Sequence, residues 1–371
     1  MGGTATVVNV IAKELQNRGH IVFLGYSDKS EHPSVFFNKK VNLASETEIK
    51  SFVERYTIDV IYNTQAIGTD WNIIKEYFPK AKIVSAYHNK PLLRYFHLES
   101  LLNIVYDSSN LLYKFYTLCK IPLLPFWKLK TQRRERKEFL EMYDNSDKIQ
   151  LLSENFYPCL KNILLKASLE KLVAIGNPIV YDSIFPKEEI GTKEKKVIVV
   201  CSTNYQKRAY LMIKIWAEIE KDARFKDWSF DFVGGGEGFG QILKLSRKLN
   251  LQRISFVGYQ KPLEYYHKGS IFMMTSRYEG WPMVLMEAMQ MGVVPVVYDS
   301  FESLSEIVTD GFNGLVIPNN RQSIFVKRMK DLMLNDNLRR EIAINAIESC
   351  QRYTIEKIID KYELLFEKLL K

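Results

Sequence analysis

Cysteine is scarce. The 371 residues include four (Cys119, Cys159, Cys201 and Cys350), far apart and with no C-x-x-C pair. That spacing argues against a disulfide framework or a cysteine zinc site, and it suits a reducing cytosol. No apolar run reaches the ~18 residues that span a bilayer. The opening stretch, MGGTATVVNVIAKEL, lacks the basic start and small-residue cleavage site of a secretory leader. A cytoplasmic location is therefore expected. Internal repeats and low-complexity segments are also missing, so solenoids and disordered arrays are excluded.

What is present is ordinary globular composition, with 46% hydrophobic and 26% charged residues. The length makes two domains the default. The 52 Lys+Arg against 43 Asp+Glu leave +9, unevenly placed. Between 110 and 137 stand Lys114, Lys120, Lys128, Lys130, Arg133, Arg134, Arg136 and Lys137 against one acid, Glu135. Leu111, Leu112, Tyr113, Phe115, Tyr116, Leu123, Leu124, Phe126 and Trp127 are interleaved with them. Basic charge beside apolar and aromatic side chains suits an anionic membrane surface, giving a protein peripheral on the inner face of the membrane. A solvated helix and loop is the plainer alternative. Nucleic acid is not expected as a partner, because no recognition motif accompanies the charge.

Short β-branched runs alternate with amphipathic helical stretches. Strands are expected at 21–26, 59–64, 82–87, 148–152 and 172–176, then at 197–202, 229–233, 254–257, 270–275, 293–298 and 315–317. Runs such as Val197-Ile-Val-Val200 do not alternate, as expected for strands covered on both faces. This pattern means βαβ units and parallel sheets. Two series in one chain predict two Rossmann-like α/β domains, at 1–178 and 179–352, with the break at Asn177-Pro178. A terminal helix at 353–371, with one apolar face, is expected to pack back towards the first domain. The first series reads without an opening strand, since Met1 directly precedes Gly2-Gly3 and a helical pattern. The expectation is either a start further upstream or an impaired first domain.

The chemistry concentrates in SRYEGWPMVLMEAMQMG, residues 276–292. Pro282 suits the first turn of a helix and disfavours helical geometry at Trp281. Glu279 is thus expected in the loop before the helix and Glu287 inside it. From 283 to 291 every residue is apolar except Glu287 and Gln290, the mark of a buried helix. A buried carboxylate needs partners. This helix holds no Lys or Arg, so sugar or ribose hydroxyls would serve. The helix start offers free N–H groups and a positive dipole end, a ready phosphate site. Together these features describe a place for a sugar on a nucleotide diphosphate. The alternative is a core helix whose glutamate bonds to the chain itself.

The E-x7-E spacing of Glu279 and Glu287 resembles the signature of the retaining nucleotide-sugar glycosyltransferases of family 4, which have the GT-B fold. The resemblance covers nearly the whole chain. Gly2-Gly3-Thr4 with AKELQNRGH resembles that family's glycine loop and first helix, and SDKIQLLSE and IGNPI the end of its first domain. STNYQKR, FVGGGEG, SFVGY and IVTDGFNGLVIP resemble successive second-domain motifs. The implied fold is GT-B, two Rossmann-like domains with parallel sheets facing a central cleft.

The resemblance implies roles residue by residue. Glu279 would face the donor sugar, Glu287 would hold the ribose, and amides of Gly280, Trp281, Met283 and Val284 would meet hydroxyls and phosphate. Lys207 would neutralise the departing diphosphate, as a fixed cation at developing charge should. The residues alone also fit a solvated loop lysine. An arginine of the family pattern is replaced here by Cys201-Ser202-Thr203, and Arg208 is either its substitute or a helix-surface residue. The turns at Gly235 and Tyr259 would lie near the nucleotide, although structural turns fit equally. His88, in the pair His88-Asn89, would face the acceptor side of the sugar, and Gly3 would bring backbone close to sugar or phosphate.

No D-x-D motif occurs. The expectation is a metal-independent enzyme without a resident cofactor, using a nucleotide-diphosphate sugar, preferentially a UDP-sugar, as its donor. The implied activity is retaining transfer of a hexose-type sugar to a lipid-linked or saccharide acceptor in surface polysaccharide biosynthesis. Two rivals are a nucleotide-sugar epimerase on the same fold and a degenerate, non-catalytic partner subunit.

Overall fold

A computed structural model describes residues 3–26, 37–65, 68–91, 111–164, 169–236 and 238–371. Met1, Gly2, position 110 and Glu237 of FVGGGEG lie outside the described residues. The chain divides into two units. One is made of 1–94, 132–180 and 353–371, the other of 95–131 and 181–352.

The first unit opens with α1 (Gly3–Asn17), followed by β1 (Phe23–Tyr26), which pairs in parallel with β2 (Lys39–Asn42). Helix α2 (Glu46–Val53) closes a small core over this ribbon, where Phe52 meets Phe23 edge to face at 5.0 Å. The remaining strands form a second parallel sheet in the order β3 (Val60–Asn63), β4 (Lys82–Tyr87), β5 (Lys148–Leu151) and β6 (Leu172–Ala174). Helix α3 (Trp71–Tyr77) precedes β4, capped by the Asp70 carboxylate accepting from the amides of Asn72 and Ile73. Of the helices that follow β4 in the chain, α4 (Leu111–Cys119) falls in the second unit, α5 (Leu124–Asn145) runs across the division at 131/132, and α6 (Tyr157–Leu164) belongs to the first. Pro125 does not break α5, because in the first turn its missing N–H has no intrahelical acceptor to lose.

The second unit is a six-stranded, wholly parallel sheet. Its strands are β7 (Lys196–Val200), β8 (Ser229–Val233), β9 (Ile254–Gly258), β10 (Ile271–Met274), β11 (Val294–Asp299) and β12 (Leu315–Pro318). They lie in the order β12-β11-β10-β7-β8-β9. Val197, Ile198, Phe230, Ile271 and Val296 are completely buried, the burial on both faces that their unbroken apolar runs predict. The helices are α7 (Ala209–Glu220), α8 (Phe239–Lys248), α9 (Leu263–Lys268), α10 (Met283–Gln290), α11 (Leu304–Ile307), α12 (Gln322–Leu334) and α13 (Asp336–Cys350). Trp216 of α7 packs on Phe230 of β8 with ring centroids 5.5 Å apart.

The strand order reverses between β7 and β10. Their pairing covers only Val197–Ile271 and Ile198–Phe272. The C-terminal ends of these two strands form the switch point, the place where doubly wound sheets bind ligands in a crevice.

The chain ends in α14 (Ile355–Leu370), which lies with the first unit. Arg18, just past α1, donates to Asp360 at 2.6 Å and Glu363 at 2.7 Å, and the Tyr62 and Tyr362 hydroxyls meet at 3.0 Å.

Candidate active site

Four loops leave the C-terminal ends of β7, β8, β9 and β10. The first runs from Cys201 to Arg208. Its short 3-10 turn (Tyr205–Lys207) is capped by the Asn204 side chain, which accepts from the Lys207 amide at 3.3 Å. Arg208 then takes left-handed backbone angles (φ 51°, ψ 41°), a costly conformation for a residue with a Cβ. The cost is offset by its side chain. Arg208 is 2% exposed, and its guanidinium donates to the carbonyls of Thr275 and Ser276 and to the side chains of Asn319 (3.0 Å) and Asn320 (2.6 Å). The Thr275 hydroxyl answers by donating to the Lys207 carbonyl at 3.0 Å. The helix-surface alternative for Arg208 is therefore corrected, since burial at the head of α7 makes it a clamp between the β7 and β10 loops.

That clamp sets Lys207 beside Glu279. Lys207 Nζ lies 2.6 Å from Glu279 Oε1, with the two side chains 18% and 8% exposed. The other oxygen, Oε2, accepts from Gln206 Nε2 at 3.1 Å, and the same amide donates to the Tyr278 carbonyl at 2.8 Å. The Arg277 amide donates to the Gln206 carbonyl at 2.8 Å, and its guanidinium lies over the Tyr205 ring. Lys207 is thus no freely solvated loop lysine. Gln206 carries no signal of its own in the sequence, because its acceptors lie more than seventy residues downstream.

Helix α10 begins after Pro282, whose extended ψ of 101° halts the chain just before the first turn. Gly280 and Trp281 precede it, and Met283 and Val284 open it, so its first amides lack intrahelical acceptors. Gly292 ends it with φ 64°, and a Cβ there would lie 2.4 Å from Ile190 Cδ1. Glu287 sits one turn inside, half-buried. Tyr266 of α9, itself fully buried, donates its hydroxyl to Glu287 Oε2 at 3.1 Å and lies 3.2 Å from the Val284 carbonyl. No partner for Oε1 occurs among the described residues. Burial pushes the Glu287 carboxyl above its ordinary range, and the Tyr266 hydrogen bond pulls it back in part. The sequence expects donors from outside this helix, with sugar or ribose hydroxyls able to serve; the fold supplies one, from a tyrosine that the sequence pattern does not single out. One oxygen is left for a ligand.

The glycine turn after β8 packs directly on the β7 loop. Gly234 (φ 134°) lies so close that a Cβ would meet the Cys201 carbonyl oxygen at 1.9 Å. The Gly235 carbonyl accepts from the Thr203 amide at 2.9 Å. Tyr259, 73% exposed, leans its ring against Gly235, where a Cβ would sit 3.3 Å from Cε2. An exposed ring on a glycine turn beside the crevice can stack on a flat ligand.

In the first unit, His88 follows β4. Burial lowers its pKa to about 4, and neither ring nitrogen has a hydrogen-bond partner among the described residues. Gly3 opens α1.

Residues 180–349 match the profile of the glycosyl transferases group 1 family. Among curated proteins, the chain is 27% identical to the amylovoran biosynthesis glycosyltransferase AmsD of Erwinia amylovora over 234 residues, 61% of this chain and 64% of that one. It is 21% identical to a GalNAc-alpha-(1->4)-GalNAc-alpha-(1->3)-diNAcBac-PP-undecaprenol alpha-1,4-N-acetyl-D-galactosaminyltransferase of Campylobacter jejuni, over half of each chain. The matches span less than two thirds of the length of these relatives. Among solved structures, Anabaena Alr3699/HepE in complex with UDP superposes with a TM-score of 0.73 over 99% of this chain and 96% of its own, at 14% identity. The chain has the GT-B fold, and over residues 180–349 it is similar to the glycosyl transferases group 1 family.

Proposed function

We propose that the protein is a retaining glycosyltransferase that moves a hexose-type sugar from a nucleotide diphosphate, preferentially UDP, to a lipid-linked or saccharide acceptor in surface polysaccharide biosynthesis. The observation that carries this reading is the crevice at the C-terminal ends of β7 and β10. There a half-buried cation (Lys207), a buried carboxylate (Glu279), a helix start and a second carboxylate with one free oxygen (Glu287) stand within one unit. The names of the relatives, an amylovoran transferase and a transferase acting on an undecaprenol-linked saccharide, support the acceptor class. The UDP held by Alr3699/HepE supports the donor.

In this reading Glu287 Oε1 accepts from the ribose hydroxyls while Tyr266 holds its other oxygen. The amides of Gly280, Trp281, Met283 and Val284 and the dipole of α10 face the diphosphate. The sugar carbon–oxygen bond breaks with its electron pair staying on the diphosphate, and Lys207 balances that charge. Glu279 lies beside the carbon that becomes electron-poor, and the acceptor oxygen bonds to it as the acceptor proton passes to the leaving phosphate. No metal enters, since Lys207 and the helix start provide the positive charge. Arg208 adds long-range positive potential while its hydrogen bonds serve the two loops.

A membrane surface as partner is supported by 111–130. Leu111, Leu112, Phe115, Tyr116, Phe126 and Leu129 are exposed there, beside four lysines and no acid. Among the described residues no helix is long and apolar enough to cross a membrane, so contact would be peripheral.

The test is transfer of radiolabelled sugar from a panel of nucleotide donors to a lipid-linked saccharide. Glu279→Ala and Lys207→Ala are each expected to cut turnover by about a hundredfold or more, with circular dichroism unchanged. Full turnover in both variants would remove this mechanism. Donor conversion without any acceptor would establish the epimerase, and no nucleotide binding at all would establish the non-catalytic subunit.

A further inference from the structure

Glu279 is fully subscribed. One oxygen is ion-paired to Lys207 at 2.6 Å and the other takes a hydrogen bond from Gln206 at 3.1 Å. A carboxylate that must face a sugar, and a cation that must face a diphosphate, are here spent on each other. We propose that Lys207 and Glu279 form an anion-opened latch: an arriving diphosphate draws Lys207 off Glu279, and Gln206 alone then holds the carboxylate in position. The inference rests on the reading of this crevice as a donor site and adds an order of events and a positioning residue, Gln206.

Three observations support it. First, the Lys207 side chain is 18% exposed, so solvent and an entering anion reach it, whereas Glu279 at 8% is the fixed partner. A lysine stem has four rotatable carbons and can swing, whereas Glu279 is tethered on its second oxygen. Second, Gln206 Nε2 is forked between Glu279 Oε2 and the Tyr278 carbonyl, and its own carbonyl accepts from the Arg277 amide. The glutamine therefore grips the loop that carries Glu279 at three successive residues and stays engaged when Lys207 leaves. Third, the backbone at Lys207 is anchored at both ends, by the Asn204 cap and by the Thr275 hydroxyl. Movement is confined to the side chain. A diphosphate offers about two negative charges against one on Glu279, so the exchange is favourable at the helix start, where the dipole adds to it.

The competition makes an unusual prediction. Removing the carboxylate should strengthen anion binding, because Lys207 no longer has to be detached from a partner. Titration calorimetry with UDP and with inorganic pyrophosphate on the full chain gives the readout. Glu279→Gln is expected to tighten both about three- to thirtyfold, in line with the coupling of close charge pairs. Glu279→Ala should do the same, which guards against an artefact of the new amide. Lys207→Met is expected to weaken both. Gln206→Met, which keeps the length and loses the donor, should leave UDP affinity within about twofold while lowering kcat about tenfold or more. A purely structural glutamine would change both together. Unchanged or weaker binding in both Glu279 variants, with Lys207→Met still weakening, would overturn the latch and leave the donor site standing. UDP binding that is indifferent to Lys207→Met, or absent from the unmodified protein, would bring down the donor-site reading itself.

Discussion

Replacing Tyr266 with phenylalanine removes a single oxygen from the wall of the crevice. The ring stays, packed between Tyr181 at 6.5 Å and Phe272 at 6.3 Å, so the core keeps its volume. What is lost is the donor to Glu287 Oε2. A hydrogen bond to a charged group contributes about 1.5–3 kcal/mol. Here the one proton is shared with the Val284 carbonyl and the separation is 3.1 Å, so about half of that is a fair expectation. That corresponds to about 0.5–1 pKa unit. Burial already raises the Glu287 carboxyl, and the bond from Tyr266 works against burial. Losing it moves the pKa further up. Ribose hydroxyls need the ionised form as acceptor, so donor affinity falls as pH drops through this pKa. The acid limb of kcat/KM for the donor should therefore shift upward by about 0.5–1 pH unit in Tyr266→Phe, and it should vanish in Glu287→Gln. An acid limb that stays in place in Tyr266→Phe, with normal thermal stability, would refute the link between Tyr266, Glu287 and the donor.

His88 should make stability pH-dependent. Its pKa is about 4 in the folded protein against about 6.5 in an unfolded chain. The unfolded state takes up the proton first, so stability is full above about pH 6.5 and is lost by about 2–3 kcal/mol as pH falls towards 4. Urea midpoints at pH 7 and 4.5 should differ less in His88→Gln than in the unmodified protein. Gly234→Ala should destabilise the second unit by at least about 2 kcal/mol, from φ 134° and the clash with the Cys201 carbonyl; denaturant titration with an unchanged midpoint would contradict the geometry. Leu112→Glu with Phe115→Glu should reduce flotation with phosphatidylglycerol vesicles about tenfold or more and leave UDP binding intact; equal flotation would dismiss 111–130 as a membrane surface.

The strands of the second unit were legible because burial on both faces leaves their sequences unbroken, as in Val197-Ile-Val-Val200 and Ile271-Phe-Met-Met274. Strand β2 was not. It reads Lys-Lys-Val-Asn, and only Val41 is buried, so a half-covered edge strand looks like a polar loop. The loop position of Glu279 and the helical position of Glu287 follow from Pro282 alone. Their partners do not. Gln206 reaches Glu279 across 73 positions, and Tyr266 reaches Glu287 from a neighbouring helix. For Arg208 the sequence left two readings open, because a charged residue at a helix start normally faces water, whereas here four protein oxygens receive it. Local pattern reports which residues prefer burial, but hydrogen-bond closure between distant loops needs coordinates.

Helix α14 belongs to the unit that α1 begins, tied there by Arg18 to Asp360 and Glu363. The ribosome therefore makes the two parts of this unit on either side of residues 181–352. The second unit has all its described strands by Pro318, while in the first Tyr62 waits for Tyr362 of residues 355–370. Nascent chains arrested before residue 355 should show a protease-resistant second unit and a first unit still cleaved, and the late helix would then act as the closing step of biosynthetic folding.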